Sequence, residues 1–289
     1  MSLRYFARFR KSPLASSKLD LSLGTSYAGL LRGVHLQKSE DSVIRQETIM
    51  AKSEQRSSEV IDVTRNVMLY WDAYPFPPDV IAVSETWRKH CPEWKVTLFN
   101  QETARLYLQD VFGGDIVRLF LTCALPAMRS DFFRVLWAVS EGGIYSDLTF
   151  VPKRAPLFFN PEKDLTVTLR PSGKKRGSRP NVMIPKSNIF FAKKGCMELK
   201  LIAFEQIKEI SKREIPTVWD SVGTEVWVRT IDQNDNSAVE FLDWKTLRDE
   251  FIENSNYPSH TRKTDLHWTR LQKKMSIYQD PLQTKSGKP

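Results

Sequence analysis

Asp131, Arg134 and Asp147 are the side chains of this chain whose types and spacing best suit chemistry. Asp131 and Arg134 stand three apart, a spacing that puts both on one face of a helix. A carboxylate grips a hard cation or accepts hydroxyl protons, and a guanidinium offers charged donors to a phosphate or a carboxylate. Taken singly, each has a plain structural reading. An Asp/Arg pair at i,i+3 is a common helix-surface feature, Asp147 caps a turn, and Tyr145 between them in sequence is a core residue.

The stretch that carries them, AMRSDFFRVLWAVSEGGIYSDLTF over 127–150, reads as a helix, a double-glycine turn and a strand. Phe132, Phe133, Leu136, Trp137 and Val139 recur at helical spacing, with Ser130 as the cap. Gly142 and Gly143 stop the helix by admitting positive φ. Residues 144–150 alternate as a strand that Pro152 closes. Such a unit presents Asp131 and Arg134 on one helix face. Tyr145 and Asp147 fall at the carboxyl end of a strand, where open α/β sheets hold their ligands.

The surrounding chain supplies the sheet. An opening strand over 60–71 is buried on both faces from Val67 to Trp71, and PFPPD forces a turn after it. A helix over 79–90, a strand over 94–99 and a helix over 101–112, stopped by Gly113 and Gly114, follow, then a short helix over 115–124. Further on come strands over 165–169 and 189–192 and a helix over 197–212. Residues 224–230 suit a strand or a helix. This alternation predicts a mainly parallel twisted sheet flanked by helices.

With these residues in view, RSDFFR followed by GGIYSDLT resembles the glycosyltransferases of family 32. That family includes yeast-type initiating α-mannosyltransferases and bacterial capsular polysaccharide sugar transferases, with clostridial glucosylating toxins as more distant relatives. The family pattern stands here as Ser130, Asp131, Arg134, Gly142, Gly143, Tyr145 and Asp147, with Thr149 in the place of the second Asp of the DXD motif. The resemblance extends back to Tyr70 and Trp71 and to TWRKHCPEWKVTLFN, and more weakly forward to His260 and Trp268. It implies a GT-A type α/β fold and the transfer of a hexose from a UDP- or GDP-linked donor to a glycan, protein or other hydroxyl acceptor, with retention of configuration. It implies that Asp131 and Arg134 contact the donor sugar, with Arg134 also near the diphosphate. Trp71 would pack on the base, and Ser130, Tyr145 and Trp268 would border the donor. Asp147, with Thr149 and His260 as weaker candidates, would hold Mn2+ or Mg2+.

Thr149 is where the chain leaves the family pattern. A hydroxyl supplies neither the charge nor the affinity of a carboxylate for a hard divalent cation. Weakened metal binding with turnover, metal-free chemistry, and a sugar-nucleotide-binding descendant without activity are all open on this ground. For the metal-free case, the basic loop RPSGKKRGSRP, with Arg170, Lys174, Lys175, Arg176 and Arg179, would neutralise the diphosphate.

The 289 residues, 41% of them hydrophobic, make room for one large domain, and a net charge of +9 favours an anionic partner. The expected division is a basic, disordered leader over 1–58, a glycosyltransferase domain over 59–278 and a frayed tail over 279–289. The leader's first 19 residues hold five basic side chains and no acid. They suit a transit or export sequence or a peripheral membrane contact, and otherwise a solvated extension of a cytoplasmic protein. An effector that glycosylates a protein in another cell is a further reading. No run is apolar enough to span a bilayer. Three separated cysteines, without ligand spacing, suggest a reduced interior and no structural zinc. The basic residues are dispersed, with no RNA or DNA motif, so nucleic acid is not an expected partner.

Overall fold

The structure, a computed structural model, describes residues 64–155, 158–171, 183–233, 237–254 and 267–280. The leader over 1–58, the loop over 172–182 and His260 lie outside the described residues.

Four consecutive apolar residues after Asn66 make β1 (Asn66–Tyr70) a strand buried on both faces, and such a strand needs cover on both sides. β2 (Lys95–Phe99) and β3 (Gly143–Ser146) flank it, each parallel to it. β6 (Met183–Ala192) runs antiparallel between β3 and β5 (Leu165–Pro171), and β7 (Val239–Asp243) lies parallel to β5. The order β2-β1-β3-β6-β5-β7 therefore has one reversed strand, and the expected mainly parallel sheet is met. Alternation sorts the cover. Val67 and Leu69 join Ile144 and Phe191 in a core with Val80, Val83 and Trp87 of α1 (Pro78–His90). On the other side, Phe133 of α4 (Pro126–Glu141) meets Tyr70 at a centroid distance of 6.0 Å and Phe99 at 5.0 Å. Between them in sequence lie α2 (Gln101–Phe112), with an Asn100/Thr103 capping box, and α3 (Gly114–Thr122).

Beyond the sheet centre, α5 (Met197–Lys212), α6 (Val218–Ser221) and α7 (Thr224–Gln233) follow β6. α8 (Trp244–Glu250) follows β7, and α9 (Trp268–Leu271) carries the C-terminal tryptophan.

Several local expectations change. Ser130 is not a cap. α4 begins at Pro126, whose missing N–H costs nothing in a first turn, with Leu125 at the N-cap and no side-chain cap, so Ser130 sits inside the helix. Residues 144–150 are not one strand. The Phe150 N–H donates to the Asp147 carbonyl at 3.0 Å, so Asp147–Phe150 closes a turn, and β4 (Phe150–Pro152) leaves to pair with β8 (Ile252–Asn254). Trp71 lies one residue past β1 and is half-buried. Residues 224–230 are helical, and Gln279, expected to fray, has its N–H on the Thr122 carbonyl at 2.8 Å.

Candidate active site

Gly142 and Gly143 set the angle at which α4 hands the chain to β3. Gly142 ends the helix at φ +69°, and Gly143 continues at φ +109°. A Cβ on Gly143 would stand 2.4 Å from the Asn66 carbonyl oxygen, so only glycine lets β3 start this close to β1. From that start, three residues bring Tyr145 inside the sheet and Asp147 just beyond its carboxyl end.

There the helix and strand residues meet. Arg134, buried with only 3% exposure, donates through Nη2 to Asp131 Oδ1 and to Ser187 Oγ, the latter at 2.8 Å. Its Nη1 faces Asp147 Oδ1 at 3.5 Å, and its guanidinium lies 5.0 Å from the centre of the Tyr145 ring. The Tyr145 hydroxyl donates to Asp147 Oδ1 at 2.6 Å and stands 3.0 Å from Ser130 Oγ. One guanidinium thus serves two carboxylates. Burial pushes the Asp131 carboxyl up to about 7 against the pull of Arg134, and the charge of Asp147 adds to that push. Burial likewise raises the Tyr145 phenol, with Asp147 beside it, so it stays a donor.

Two adjoining cavities open from this cluster. The first, about 460 Å³, is lined by Tyr70, Trp71, Asp72, Tyr145, Leu148, Thr149, His267, Trp268 and Leu271 among others, and is mostly apolar. The second, about 260 Å³, is lined by Asp131, Arg134, Arg170, Lys186, Ser187, Asn188, Trp219 and Thr224 among others. Ser130, Asp147 and Trp268 line both. The structure therefore brings together Trp71, Ser130, Asp131, Arg134, Tyr145, Asp147, Thr149 and Trp268. Arg170 joins them, whereas Lys174, Lys175, Arg176, Arg179 and His260 lie outside the described residues.

Asp72 and Arg129 were not anticipated. Arg129 Nε and Nη2 hold both Asp72 oxygens at 2.7 Å, and Tyr70 donates to the same carboxylate at 2.6 Å. Arg129 Nη1 also donates to the Cys123 carbonyl at 2.6 Å, which pins the loop after β1 to the start of α4. The partners are 57 positions apart, and no local spacing reveals such a pair. Lys186, Ser187 and Asn188 also went unread, because only the fold of β6 against α4 brings them to the cavity, and so did Trp219, which reaches it from α6.

Residues 77–165 match the glycosyltransferase sugar-binding region containing the DXD motif. That region runs from α1 to the first residue of β5 and includes Asp131, Arg134, Tyr145, Asp147 and Thr149. Over 82 residues the chain is 29% identical to the initiation-specific alpha-1,6-mannosyltransferase of Schizosaccharomyces pombe, covering 27% of this chain. It spans about a fifth (21%) of that relative's length. Among solved structures, the PaToxG glycosyltransferase aligns at a TM-score of 0.45 and 15% identity, over 59% of this chain and 68% of that one. The apo-form glycosyltransferase GlyE of Streptococcus pneumoniae TIGR4 aligns at 0.35 and 11%, over 63% and 45%. The α/β architecture stands on its own strand order and register.

Glycosyltransferases with a DXD sugar-binding region typically use a divalent metal. Among the described residues no group of three His, Cys, Asp or Glu is placed to hold one. Asp147 and Thr149 do line the same cavity, and a magnesium-type ion accepts one protein carboxylate when substrate phosphates and water complete its shell. Among the described residues, the donor set fits an ion brought in with a diphosphate. Among the described residues no helix is long and apolar enough to cross a membrane.

Proposed function

We propose that this chain is a GT-A type glycosyltransferase that moves a hexose from a UDP- or GDP-linked donor to a hydroxyl acceptor with retention of configuration. The observation that carries this reading is the convergence of Asp131, Arg134 and Asp147 where the two cavities meet. The first cavity suits a nucleoside, with Trp71 as a stacking surface and Trp268 in the same lining. The diphosphate then falls at the junction, beside Asp147 and Thr149, and the sugar beside Asp131 and Arg134.

In this pose Asp131 accepts from donor-sugar hydroxyls, and Arg134 is a fixed positive charge close to the departing phosphate. Three contacts lock that guanidinium before any ligand arrives, so no reorganisation is needed when charge develops. The bond from the anomeric carbon to the β-phosphate oxygen breaks with its electron pair on the phosphate. The acceptor oxygen bonds the anomeric carbon on the same face, and its proton passes to the leaving phosphate. A divalent ion held by Asp147 and the diphosphate would add Lewis-acid stabilisation of that leaving group.

A thermal-shift screen of UDP- and GDP-sugars, with and without manganese, coupled to an assay of nucleoside diphosphate release, tests the reading. A stabilising donor that is also turned over supports it. Thr149 favours one rival, a protein that binds sugar nucleotides without turnover, and stabilisation with no release over hours supports that rival. No stabilisation by any nucleotide sugar overturns both.

A further inference from the structure

Beyond Asp131 and Arg134, which face the donor sugar, the second cavity has a chemistry that the sugar does not account for. Arg170 on β5 and Lys186 on β6 line it and not the first cavity. Thr168 pairs with Lys186 and Arg170 with Ile184, so the two cations are diagonal neighbours on one face of an antiparallel pair. That places them roughly 7–8 Å apart at the backbone, a span that one anionic group bridges with long side chains. Basic side chains outnumber acidic ones in this lining, Arg134, Arg170 and Lys186 against Asp131 and Asp147, and Arg134 is committed to both carboxylates.

Aromatic surface stands beside the charge. Lys186 Nζ lies 6.0 Å from the centre of the Trp219 ring, and Trp219 and Trp268 are 5.4 Å apart at 56°. Half-buried indoles at a cavity wall suit the C–H face of a pyranose. Asn188, in the same lining, keeps a buried side-chain oxygen without a hydrogen-bond partner, an acceptor suited to a sugar hydroxyl.

We infer that the Arg170, Lys186 and Trp219 side of the second cavity seats an acceptor sugar bearing an anionic group, a carboxylate or a phosphate, with the two cations on the anion and Trp219 under the ring. This rests on the transferase reading, in which the nucleoside occupies the first cavity, the diphosphate the junction, and the donor sugar the Asp131/Arg134 side of the second cavity. The acceptor hydroxyl then lies next to the sugar held by Asp131 and Arg134, on the side away from the nucleoside. There its oxygen bonds the anomeric carbon as the carbon–phosphate bond breaks, and its proton leaves on the diphosphate. The anion takes no part in the bond changes and fixes which acceptor enters.

The full chain is titrated, by calorimetry, with methyl glucuronide, glucose 6-phosphate, neutral methyl glucoside and an acidic hexapeptide. The same titrations are run on the Arg170→Gln/Lys186→Gln double variant and on Trp219→Leu, with melting points verifying that each variant folds. A charge-assisted contact is worth about 1.5–3 kcal/mol, or roughly 10- to 150-fold in affinity. The expected result is that glucuronide or phosphate binds at least tenfold more tightly than the neutral glucoside, and that the double variant erases this preference. Which of the two leads identifies the anion. Trp219→Leu should weaken charged and neutral sugars by a similar factor, about tenfold.

Equal binding of charged and neutral sugars overturns the inference, as does tighter binding of the peptide than of any sugar. If the double variant instead loses affinity for UDP or GDP and keeps its preference among sugars, the two cations serve the donor and the acceptor assignment is wrong. Absence of nucleotide binding by the unmodified chain sinks the transferase reading, a separate result, and the acceptor role with it.

Discussion

At the scale of single residues, the site turns on one guanidinium shared by two carboxylates. Arg134 is shared by Asp131 and Asp147, so in the proposed reading a cation arriving with the donor would meet the Asp147 carboxylate beside the neutral Thr149. Thr149→Asp should therefore raise manganese affinity in the presence of UDP or GDP by about tenfold or more, and give a manganese-dependent rise in melting point that the natural residue shows only weakly. An unchanged response to manganese means that position 149 does not face the ion. The burial of this pair has a pH signature. The Asp131 carboxyl is raised from 3.8 to about 7 by burial, so between those values the folded chain holds a proton that the unfolded chain has lost. Its contribution to stability is complete below about pH 4 and declines as pH rises through about 7. Urea midpoints of the free protein and of Asp131→Asn, compared from pH 5 to 8, should show the natural chain losing stability relative to the variant as pH increases. Parallel curves would mean that burial does not govern this carboxyl.

At the scale of elements, the hand-over from α4 to β3 is the critical geometry, and glycine makes it possible. Gly143→Ala puts a Cβ against the Asn66 carbonyl at 2.4 Å in addition to the strain of φ +109°, whereas Gly113→Ala, at φ +84°, meets nothing within 4 Å. The first should cost about 3 kcal/mol or more in urea denaturation and the second about 1 kcal/mol. Equal losses would show that backbone conformation alone matters and that the approach of β3 to β1 does not. This hand-over was legible in the sequence because glycine pairs and helical periodicity are local signals. So were the spans Gln101–Phe112 and Met197–Lys212, whose predicted and observed bounds agree. What sequence hid is long-range. Nothing in the alternation of residues 144–150 announces that the Asp147 carbonyl takes the Phe150 N–H and ends the strand. Strand direction is equally silent in periodicity, so the reversal of β6 was not foreseen, nor was the delivery of Lys186, Ser187 and Asn188 to the second cavity. The proximity of Asp131, Arg134 and Asp147 was legible because they fall within 17 positions of sequence, and that of Asp72 and Arg129 was not because they do not.

At the scale of the whole molecule, the first cavity exists only when distant parts of the chain have docked. Its lining comes from residues 70–73, 126–130, 145–149 and 267–271, so a single element cannot form it. The last of these stretches is tied down well beyond the cavity. The Ala124 N–H donates to the Ile277 carbonyl at 2.8 Å, Cys123 bridges to Tyr278, and Gln279 Nε2 donates to the Leu121 carbonyl at 2.7 Å. Ile277 itself is 2% exposed. Binding and stability should then separate cleanly between two variants. Trp268→Ala removes a half-buried cavity wall, so it should cut nucleotide affinity about tenfold while shifting the urea midpoint by no more than about 1 kcal/mol. Ile277→Ala empties a buried site and should cost about 2–5 kcal/mol. Because Ile277 anchors the segment that carries His267 and Trp268, this variant should also weaken nucleotide binding, although it touches neither cavity. A destabilised Ile277→Ala that still binds nucleotide with full affinity would show that the wall is held by its own contacts, such as Trp268 on Trp219, and not by the seam against α3.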